Sequence, residues 1–201
     1  MSRLQLLTRS ALPLDTAALA RYLIGKFLVR DSPDGRTSGR IVETEAYLEG
    51  DAAAHSFRGP TPRNMSLYLG RGHAYVYFIY GAWFCMNVTG GREGIGTGVL
   101  LRALEPADGV TLMHGRRPGA HPGRLAVGPG NLATAMGIDL SLDGCDLCAP
   151  GPLWLARSSG KPPKVDIGVS RRIGITKDAD RPLRFYDRGS SSVSGPRSLR
   201  K

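Results

Sequence analysis

The chain has 201 residues, of which 41% are hydrophobic and 22% charged, a composition typical of a globular protein with one well-buried core. Its uncharged run over residues 74–88 is shorter than the roughly 20 apolar residues of a membrane-spanning helix, so the sequence predicts no membrane partner. It contains no internal repeat and no clear second domain.

Positive charge is concentrated towards the C-terminus. The formal net charge is +10, and residues 157–201 hold 12 Lys and Arg residues against 4 Asp residues. Such a surface suits a polyanion, and nucleic acid is the predicted partner. A solvated face that only aids solubility is the alternative that charge alone leaves open.

Cysteine usage predicts a reducing compartment. Cys85, Cys145 and Cys148 are an odd number without a disulfide framework, and the first residues of the chain lack an apolar signal core. Cys145 and Cys148 form a CxxC pair, but a second pair and finger-spaced histidines are missing from the sequence. We therefore expect a cytoplasmic protein without a metal site or another cofactor.

The first predicted element is a helix over residues 16–25. Apolar side chains recur on one side of this segment, which gives the helix a face to bury. Either Asp15 or Thr16 can cap its N-terminus, and Gly25 ends it.

Two paired strands are predicted next. Residues 27–30 form the first, and the turn signal in residues 31–35 brings the chain back alongside it as a second strand over residues 39–48. Side chains of a strand alternate between its two faces. One face of the second strand therefore carries Glu43, Glu45 and Tyr47.

A polar loop follows over residues 49–69. It shows little periodicity and contains His55, Arg63 and Asn64. A loop of this length inside a compact domain is usually functional.

Residues 75–80 and 84–88 are rich in aromatic and β-branched side chains, which favour strands. Gly81 lies between them and supplies a turn, so the sequence predicts a β-hairpin. The tip of this hairpin is expected to expose Tyr80 and Trp83.

Another strand is predicted over residues 99–104, after the Gly-rich residues 90–98. Arg102 lies within it and is expected to share a face with Leu100 and Leu104. An arginine in such a position is costly unless it is paired or faces a wet pocket, so Arg102 indicates a site. A surface position at the sheet edge is the alternative.

The remaining segments carry weaker signals. Residues 106–125 are irregular and basic, and we expect them to be partly mobile. A short helix is predicted over residues 128–136, where free amides at the N-terminus can hold a phosphate, although an ordinary capped helix explains the same pattern. Strands are predicted over residues 153–156 and 183–186, and the Ser/Gly/Arg-rich residues 189–201 are expected to fray.

Nine motifs occur in order along the chain. They are RIVETEAY, AHS, TPRN, YVYFIYG, FCMN, LLRALEP, GPGNL, RIGI and PLRF. With these motifs the chain resembles the alkyladenine (3-methyladenine) DNA glycosylase family, bacterial type, over residues 19–194. A match of this extent is far more specific than any single motif.

The resemblance implies an α+β fold: a single compact domain with a curved antiparallel β-sheet, surrounding helices and a protruding β-hairpin. This domain is expected to cover residues 1–194, with a basic flexible tail over residues 195–201. Proteins of the family bind duplex DNA through the minor groove, flip a damaged purine out of the stack and cut its N-glycosidic bond. The expected partner is double-stranded DNA containing damaged purines, bound by a monomer associated with the nucleoid.

For the chemistry, the resemblance makes Glu45 the base that activates water and the charge that stabilises an oxocarbenium-like sugar. Arg102 resembles the arginine that helps to hold this water, and the backbone carbonyl of Ile173 stands where another hydrogen bond is supplied. Glu43 is the rival base, because strand alternation cannot separate two glutamates on one face. Only the register of the family motif favours Glu45.

Tyr47 and Tyr77 match the residues that sandwich the flipped base, where stacking contributes about 1–3 kcal/mol per base. Residue type alone would make them core aromatics. His55 matches the histidine that contacts the 6-position edge of the purine, and Asn87 matches the residue that crowds the 2-position and disfavours guanine. Tyr80 matches the wedge that fills the gap left in the duplex.

Four further residues are expected at the DNA interface: Arg63, Asn64, Trp83 and Asn131. The first two belong to the TPRN motif. Ala82 and Trp83 replace the aliphatic or aromatic pair that often follows the wedge, and Asn131 stands where many relatives have lysine. The first departure affects the expected contact with the duplex beside the lesion, and the second affects one expected phosphate contact.

Two other functions fit parts of the sequence. A non-enzymatic protein that binds single-stranded nucleic acid could use YVYFIY as a stacking platform, but Glu45 would then repel the phosphates. An RNA-binding domain resembling the C-terminal domain of formyltransferases is a likeness of fold alone. Release of free base from an alkylated duplex separates both from the enzyme.

Overall fold

The computed structural model describes residues 3–160 and 164–196. In this part the chain forms three α-helices, namely α1 (Thr16–Leu23), α2 (Val110–Arg116) and α3 (Pro129–Met136). It also forms nine β-strands: β1 (Leu4–Leu6), β2 (Phe27–Ser32), β3 (Gly35–Tyr47), β4 (Ala74–Ile79), β5 (Trp83–Thr89), β6 (Gly98–Asp108), β7 (Leu153–Ser158), β8 (Ile167–Ser170) and β9 (Arg184–Asp187). None of these helices is long and apolar enough to cross a membrane. Residues 197–201 of the expected tail lie outside the described residues.

The strands form one open antiparallel sheet in the order β1-β7-β2-β3-β6-β5-β4. With 13 residues, β3 is the longest strand, and β6 pairs along one of its edges. The other edge is shared, because β2 pairs with the first half of β3 and β9 with residues 43–45, while β8 pairs with β9. This is the predicted α+β class, a single compact domain built on a large antiparallel sheet.

Alternation along the strands separates two hydrophobic clusters on opposite faces of the sheet. In β4, Ala74 and Val76 join the main cluster, whereas Tyr75 and Tyr77 join a smaller one. Apolar residues of α1 and α3 complete the main cluster. The smaller cluster lies where β4, β5 and β6 meet, and the same face of the sheet carries a cavity.

The helix α1 lies close to its predicted position. The carboxylate of Asp15 accepts a hydrogen bond from the backbone N–H of Ala18 at 2.7 Å, which makes Asp15 the N-cap. The helix ends at Leu23, and Gly25 follows with a φ of 85°, a conformation that glycine adopts without strain.

The prediction of an irregular segment over residues 106–125 was wrong for residues 106–116. Instead of an irregular segment, β6 continues to Asp108 and α2 follows it, with Met113 as the buried residue of that helix. Gly109 separates the two elements with a left-handed φ of 67°. A helix of 7 residues with one buried position has almost no apolar periodicity, so its pattern cannot be recognised in the sequence.

The strands β1 and β8 were not predicted either. They have 3 and 4 residues, which is too short for alternation to show. Because β1 pairs with β7 and β8 pairs with β9, both extend the sheet beyond the strands that the sequence indicated.

Gly109, in the turn into α2, is expected to tolerate a side chain poorly. A Cβ atom at this position would lie 2.2 Å from the carbonyl oxygen of Arg36. We expect Gly109→Ala to lower the free energy of unfolding by about 2 kcal/mol or more, because strain and a backbone clash act together. Gly115→Ala within α2 is the matched control and should raise it by about 0.5–1 kcal/mol. Urea unfolding measures both, and a stabilised Gly109→Ala variant would contradict the left-handed turn.

Candidate active site

A cavity of about 360 Å³ opens on the face of the sheet that carries the smaller hydrophobic cluster. Strands β3 to β6 contribute its floor, and the loops around residues 53–56, 96–98 and 173–175 form its rim. Its size lies within the range of small-molecule sites. Seven residues that the sequence predicted at a site line it: Tyr47, His55, Tyr77, Tyr80, Asn87, Arg102 and Ile173.

An irregularity in the sheet aims Arg102 at this site. The register between β3 and β6 shifts three times, and at the last two shifts the pairing skips Val42 and then Arg102. Such β-bulges re-aim side chains, and here Arg102 faces two buried carboxylates. The predicted common face of Leu100, Arg102 and Leu104 was therefore wrong in part, because Leu104 packs in the main cluster and Leu100 in the smaller one.

Glu43 is the first of these carboxylates, and it is held by two arginines and a serine. Its Oε1 accepts hydrogen bonds from Nε of Arg102 at 3.0 Å and from Nε of Arg184 at 2.7 Å. The hydroxyl and the backbone N–H of Ser194 donate to the same carboxylate at 2.8 and 2.6 Å. Burial disfavours the charged form, but the guanidinium groups outweigh it and hold the pKa of Glu43 below its usual value.

For Glu45, burial and hydrogen bonding shift the pKa in the opposite direction. It accepts hydrogen bonds from Nη1 of Arg102 at 3.2 Å, from the Tyr47 hydroxyl at 3.1 Å and from the backbone N–H of Ile173 at 2.7 Å. Burial outweighs these contacts and the charge of Glu43 adds to it, so the pKa of Glu45 is raised. All three donor residues line the cavity, and Glu45 lies fully buried beneath them.

His55 and Tyr77 form part of the cavity wall. Tyr77 stacks on Tyr75 with ring centroids 5.0 Å apart, and the ring of His55 meets Tyr77 edge-on at 4.5 Å. Nδ1 of His55 lies 2.9 Å from the hydroxyl oxygen of Tyr75, which orients the imidazole. Partial burial, together with the charge of Arg63, holds the pKa of His55 below its usual value, so the ring is neutral near pH 7.

Asn87 presents an unused acceptor at the cavity wall. The residue is 6% exposed, and its Oδ1 has no hydrogen-bond partner among the described residues. A Cβ atom on Gly98 would lie 3.2 Å from Nδ2 of Asn87, so a glycine there leaves room for the amide. An unsatisfied buried acceptor is uncommon, and it marks this residue of the cavity wall for a role at the site.

Tyr80 lies in the turn between β4 and β5. It is 83% exposed, and its φ of 53° is left-handed, an uncommon and strained conformation for a bulky residue. Trp83 at the start of β5 is 42% exposed and packs against α3, where a Cβ atom on Gly130 would lie 3.2 Å from the Trp83 side chain. The turn thus presents Tyr80 to solvent, whereas α3 supports Trp83.

The two asparagines predicted at the DNA interface make internal hydrogen bonds. Asn64 is 3% exposed, and its side chain bonds to the backbone of His55, Gly59 and Thr61. Asn64 therefore holds the loop that carries His55. The Nδ2 of Asn131 donates to the backbone carbonyl of Val127 at 2.7 Å.

Arg63 lines a second cavity, also of about 360 Å³, which shares His55 with the first. Arg58 and Lys177 line this second cavity as well, and its described lining contains no Asp or Glu. Arg63 additionally donates to the backbone carbonyl of Phe78 at 2.8 Å. The space next to His55 is therefore positively charged.

Sequence reasoning missed four residues of the site: Asp51, Arg172, Arg184 and Ser194. Arg172 and Arg184 belong to the basic C-terminal region, but both are buried in ion pairs with Asp51 and Glu43 and do not add to its charged surface. The fraying expected for residues 189–201 was wrong for residues 192–194, which are buried. The motifs RIGI and PLRF contain both arginines and were the available signal.

The fold and the site define an α+β protein of the enzyme class, with a carboxylate of raised pKa beneath a cavity walled by aromatic rings. The family model described as methylpurine-DNA glycosylase (MPG) matches residues 10–191. The chain therefore belongs to the methylpurine-DNA glycosylase family, as its motifs predicted.

Individual relatives agree with this family. A protein from Mesorhizobium japonicum, named "Putative 3-methyladenine DNA glycosylase", is 64% identical over 195 residues, which cover 97% of this chain and 93% of that protein. A protein of the same name from Paraburkholderia phytofirmans is 49% identical, covering 96% of this chain and 90% of its own. Another from Methanoculleus marisnigri is 51% identical, covering 90% of this chain and 94% of its own.

Ser194→Ala tests the support of Glu43. The hydroxyl donates to Glu43 and accepts a hydrogen bond from Nη2 of Arg102 at 3.3 Å. Its loss should lower the free energy of unfolding by about 1–3 kcal/mol, because a buried carboxylate loses a donor. Ser192→Ala, equally buried but outside this network, is the control and should stay within about 0.5 kcal/mol. Equal effects in urea unfolding would show that Glu43 does not depend on this hydroxyl.

Proposed function

We propose that this protein is a monofunctional DNA glycosylase of base excision repair. It flips an alkylated or deaminated purine out of duplex DNA, hydrolyses the N-glycosidic bond with an activated water and leaves an abasic site. Family membership supports this class of activity. The observation that carries the proposal is the position of Glu45, a buried carboxylate of raised pKa bonded by three groups of the cavity wall.

Glu45 rather than Glu43 is the proposed base. Glu43 is engaged by two arginines and has a lowered pKa, which makes it a poor proton acceptor. A carboxylate with a raised pKa accepts a proton more readily near neutral pH. Two neighbouring carboxylates whose pKa values are pushed apart are typical of divided roles.

In the proposed reaction the N-glycosidic bond breaks and its electron pair leaves with the purine. The carboxylate of Glu45 stabilises the oxocarbenium-like sugar that remains. A water molecule then bonds to C1′ of the sugar, and Glu45 takes its proton. Arg102 and the backbone carbonyl of Ile173 orient that water.

The flipped base binds in the cavity between Tyr47 and Tyr77. His55 contacts its 6-position edge, and the neutral state of the imidazole suits a hydrogen bond to an uncharged exocyclic group. Asn87 lies against the 2-position, where the tight packing around its amide leaves little room for the 2-amino group of guanine.

The low exposure of two aromatic residues argues for a glycosylase and against a protein that binds single-stranded nucleic acid. Tyr75 and Tyr77 are 1% and 7% exposed, so YVYFIY does not form an open platform. Single-strand platforms present successive rings to successive bases. A cavity walled by side chains instead suits one base at a time.

Contact with the duplex is assigned to the turn and the basic cavity. Tyr80 is the wedge of a hairpin that reaches into the minor groove, and its high exposure supports this role. Trp83 lies beside it, against the flanking base pairs. Arg63, with its cationic neighbours in the second cavity, is placed to bind phosphates. One copy of the chain supplies all these groups, so a monomer is the proposed active form.

The two glutamates give a matched test of the base. Glu45→Gln should keep its affinity for lesion duplex, while single-turnover release of hypoxanthine falls by at least about 100-fold. Its stability should change little, because burial already disfavours the charge that is removed. Glu43→Gln should instead lower the free energy of unfolding by about 3 kcal/mol, since the buried arginines Arg102 and Arg184 each lose a charged carboxylate partner. Chromatography of the released base measures the activity of both variants. Full activity of Glu45→Gln would overturn the assignment of Glu45 as the base.

Tyr80→Ala removes the proposed wedge but keeps the strained turn. We expect weaker binding to a duplex with a paired lesion and a smaller loss for a mismatched lesion, which flips more easily. Tyr80→Gly is the matched variant: it should show the same binding loss but be more stable than Tyr80→Ala by about 1 kcal/mol, because glycine tolerates a left-handed φ. Fluorescence anisotropy and urea unfolding measure the two effects. Equal losses on both duplexes would argue against a wedge.

A further inference from the structure

An ion pair behind Tyr47 has no part in the proposed reaction. The side chains of Arg172 and Asp51 are both 0% exposed. Nη1 and Nη2 of Arg172 donate to the two carboxylate oxygens of Asp51, which makes the pair bidentate. Because neither charge could stay buried alone, each holds the other in place.

The guanidinium of this pair lies over the ring of Tyr47. Its Cζ is 4.6 Å from the ring centroid, which is a cation–π distance. Tyr47 lines the first cavity, whereas Arg172 is not among the residues that line it. The buried Nε of Arg172 has no hydrogen-bond partner among the described residues, as expected for a stacked guanidinium.

Backbone contacts keep Arg172 in this position. Its Nη1 donates to the carbonyl of Ala46 at 3.1 Å, and its Nη2 donates to the carbonyl of Asp178 at 3.1 Å. The next residue, Ile173, donates its backbone N–H to Glu45. The placement of the cation is therefore coupled to the cavity wall.

The charges on this side of Tyr47 do not cancel at the ring. The cation contacts the ring, whereas Asp51 is bonded to the Nη atoms of the guanidinium. Arg181 adds a second positive charge, with Nη1 at 3.9 Å from Oδ2 of Asp51. Asp178 also lies here, but it is exposed and its charge is screened by water.

We propose that Arg172 is a selectivity-determining residue, which lowers the preference of the cavity for purines with a formal positive charge relative to neutral purines. The inference rests on the proposed function. Alkylation at N7 or N3 leaves a positive charge on the purine of a nucleotide, whereas hypoxanthine is neutral. A cation behind Tyr47 repels the charged purine and withdraws electron density from the ring that would stack on it.

The test compares single-turnover release of 3-methyladenine, which is charged, and of hypoxanthine, which is neutral, from otherwise identical duplexes, because neither base carries a 2-amino group that Asn87 would exclude. Arg172→Lys keeps the ion pair but draws the charge off the ring towards Asp51, so the ratio of the two rates, charged over neutral, should rise about threefold. Asp51→Asn leaves the cation unbalanced, and the ratio should fall by about the same factor. Arg171→Lys is the matched control, because Arg171 pairs with Asp180 at the surface, and its ratio should equal that of the wild type.

The ratio distinguishes an effect on selectivity from a structural effect of the substitution. A general loss of positioning lowers both rates by the same factor and leaves their ratio unchanged. Urea unfolding of each variant accompanies the rates, and if Asp51→Asn does not fold, the Arg172→Lys ratio decides alone. An unchanged ratio in Arg172→Lys, with both bases released by the wild type, overturns the role of Arg172 and leaves the proposed function intact. Release of neither base by the wild type overturns the proposed function and this inference together.

Discussion

Desolvation of Glu43 is the constraint on which the centre of this structure depends. A fully buried carboxylate must be compensated, and β6, β9 and the C-terminal segment supply Arg102, Arg184 and Ser194 for this purpose. These partners lie 59, 141 and 151 residues away along the chain. The sheet bulges, the second edge partner of β3 and the burial of residues 192–194 all serve the same carboxylate.

The hydrogen-bond network around Glu43 also sets the environment of Glu45, two residues further along β3. Arg102 is shared between Glu43 and Glu45, and the second arginine goes to Glu43, so the two pKa values move in opposite directions. Tyr47 then links this charge pattern to the cavity, since its hydroxyl bonds to Glu45 and its ring lies over a buried cation. The buried floor contrasts with Tyr80, which lies exposed in a strained turn where contact with the duplex is proposed.

The sequence by itself determined the features that depend on neighbouring residues. The cap and the end of α1 follow from Asp15 and Gly25, and alternation places Glu43 and Glu45 on one face of β3, where both contact Arg102. The ordered motifs determined the family. Capping, turn chemistry and alternation act over a few residues, which is why a single sequence is sufficient for them.

The tertiary structure decided what depends on distant partners. Strand alternation treats Glu43 and Glu45 alike, and their environments differ because Arg184 and Ser194 arrive from the far end of the chain. The position of Leu104 also depends on tertiary structure, because the β-bulges orient its side chain towards the main cluster. The serine-rich residues before position 195 have no apolar period, and the buried carboxylate of Glu43 that Ser194 contacts comes from a distant part of the chain. The physical reason is desolvation: burying a charge demands partners wherever the chain can bring them, and no local pattern specifies which ones arrive.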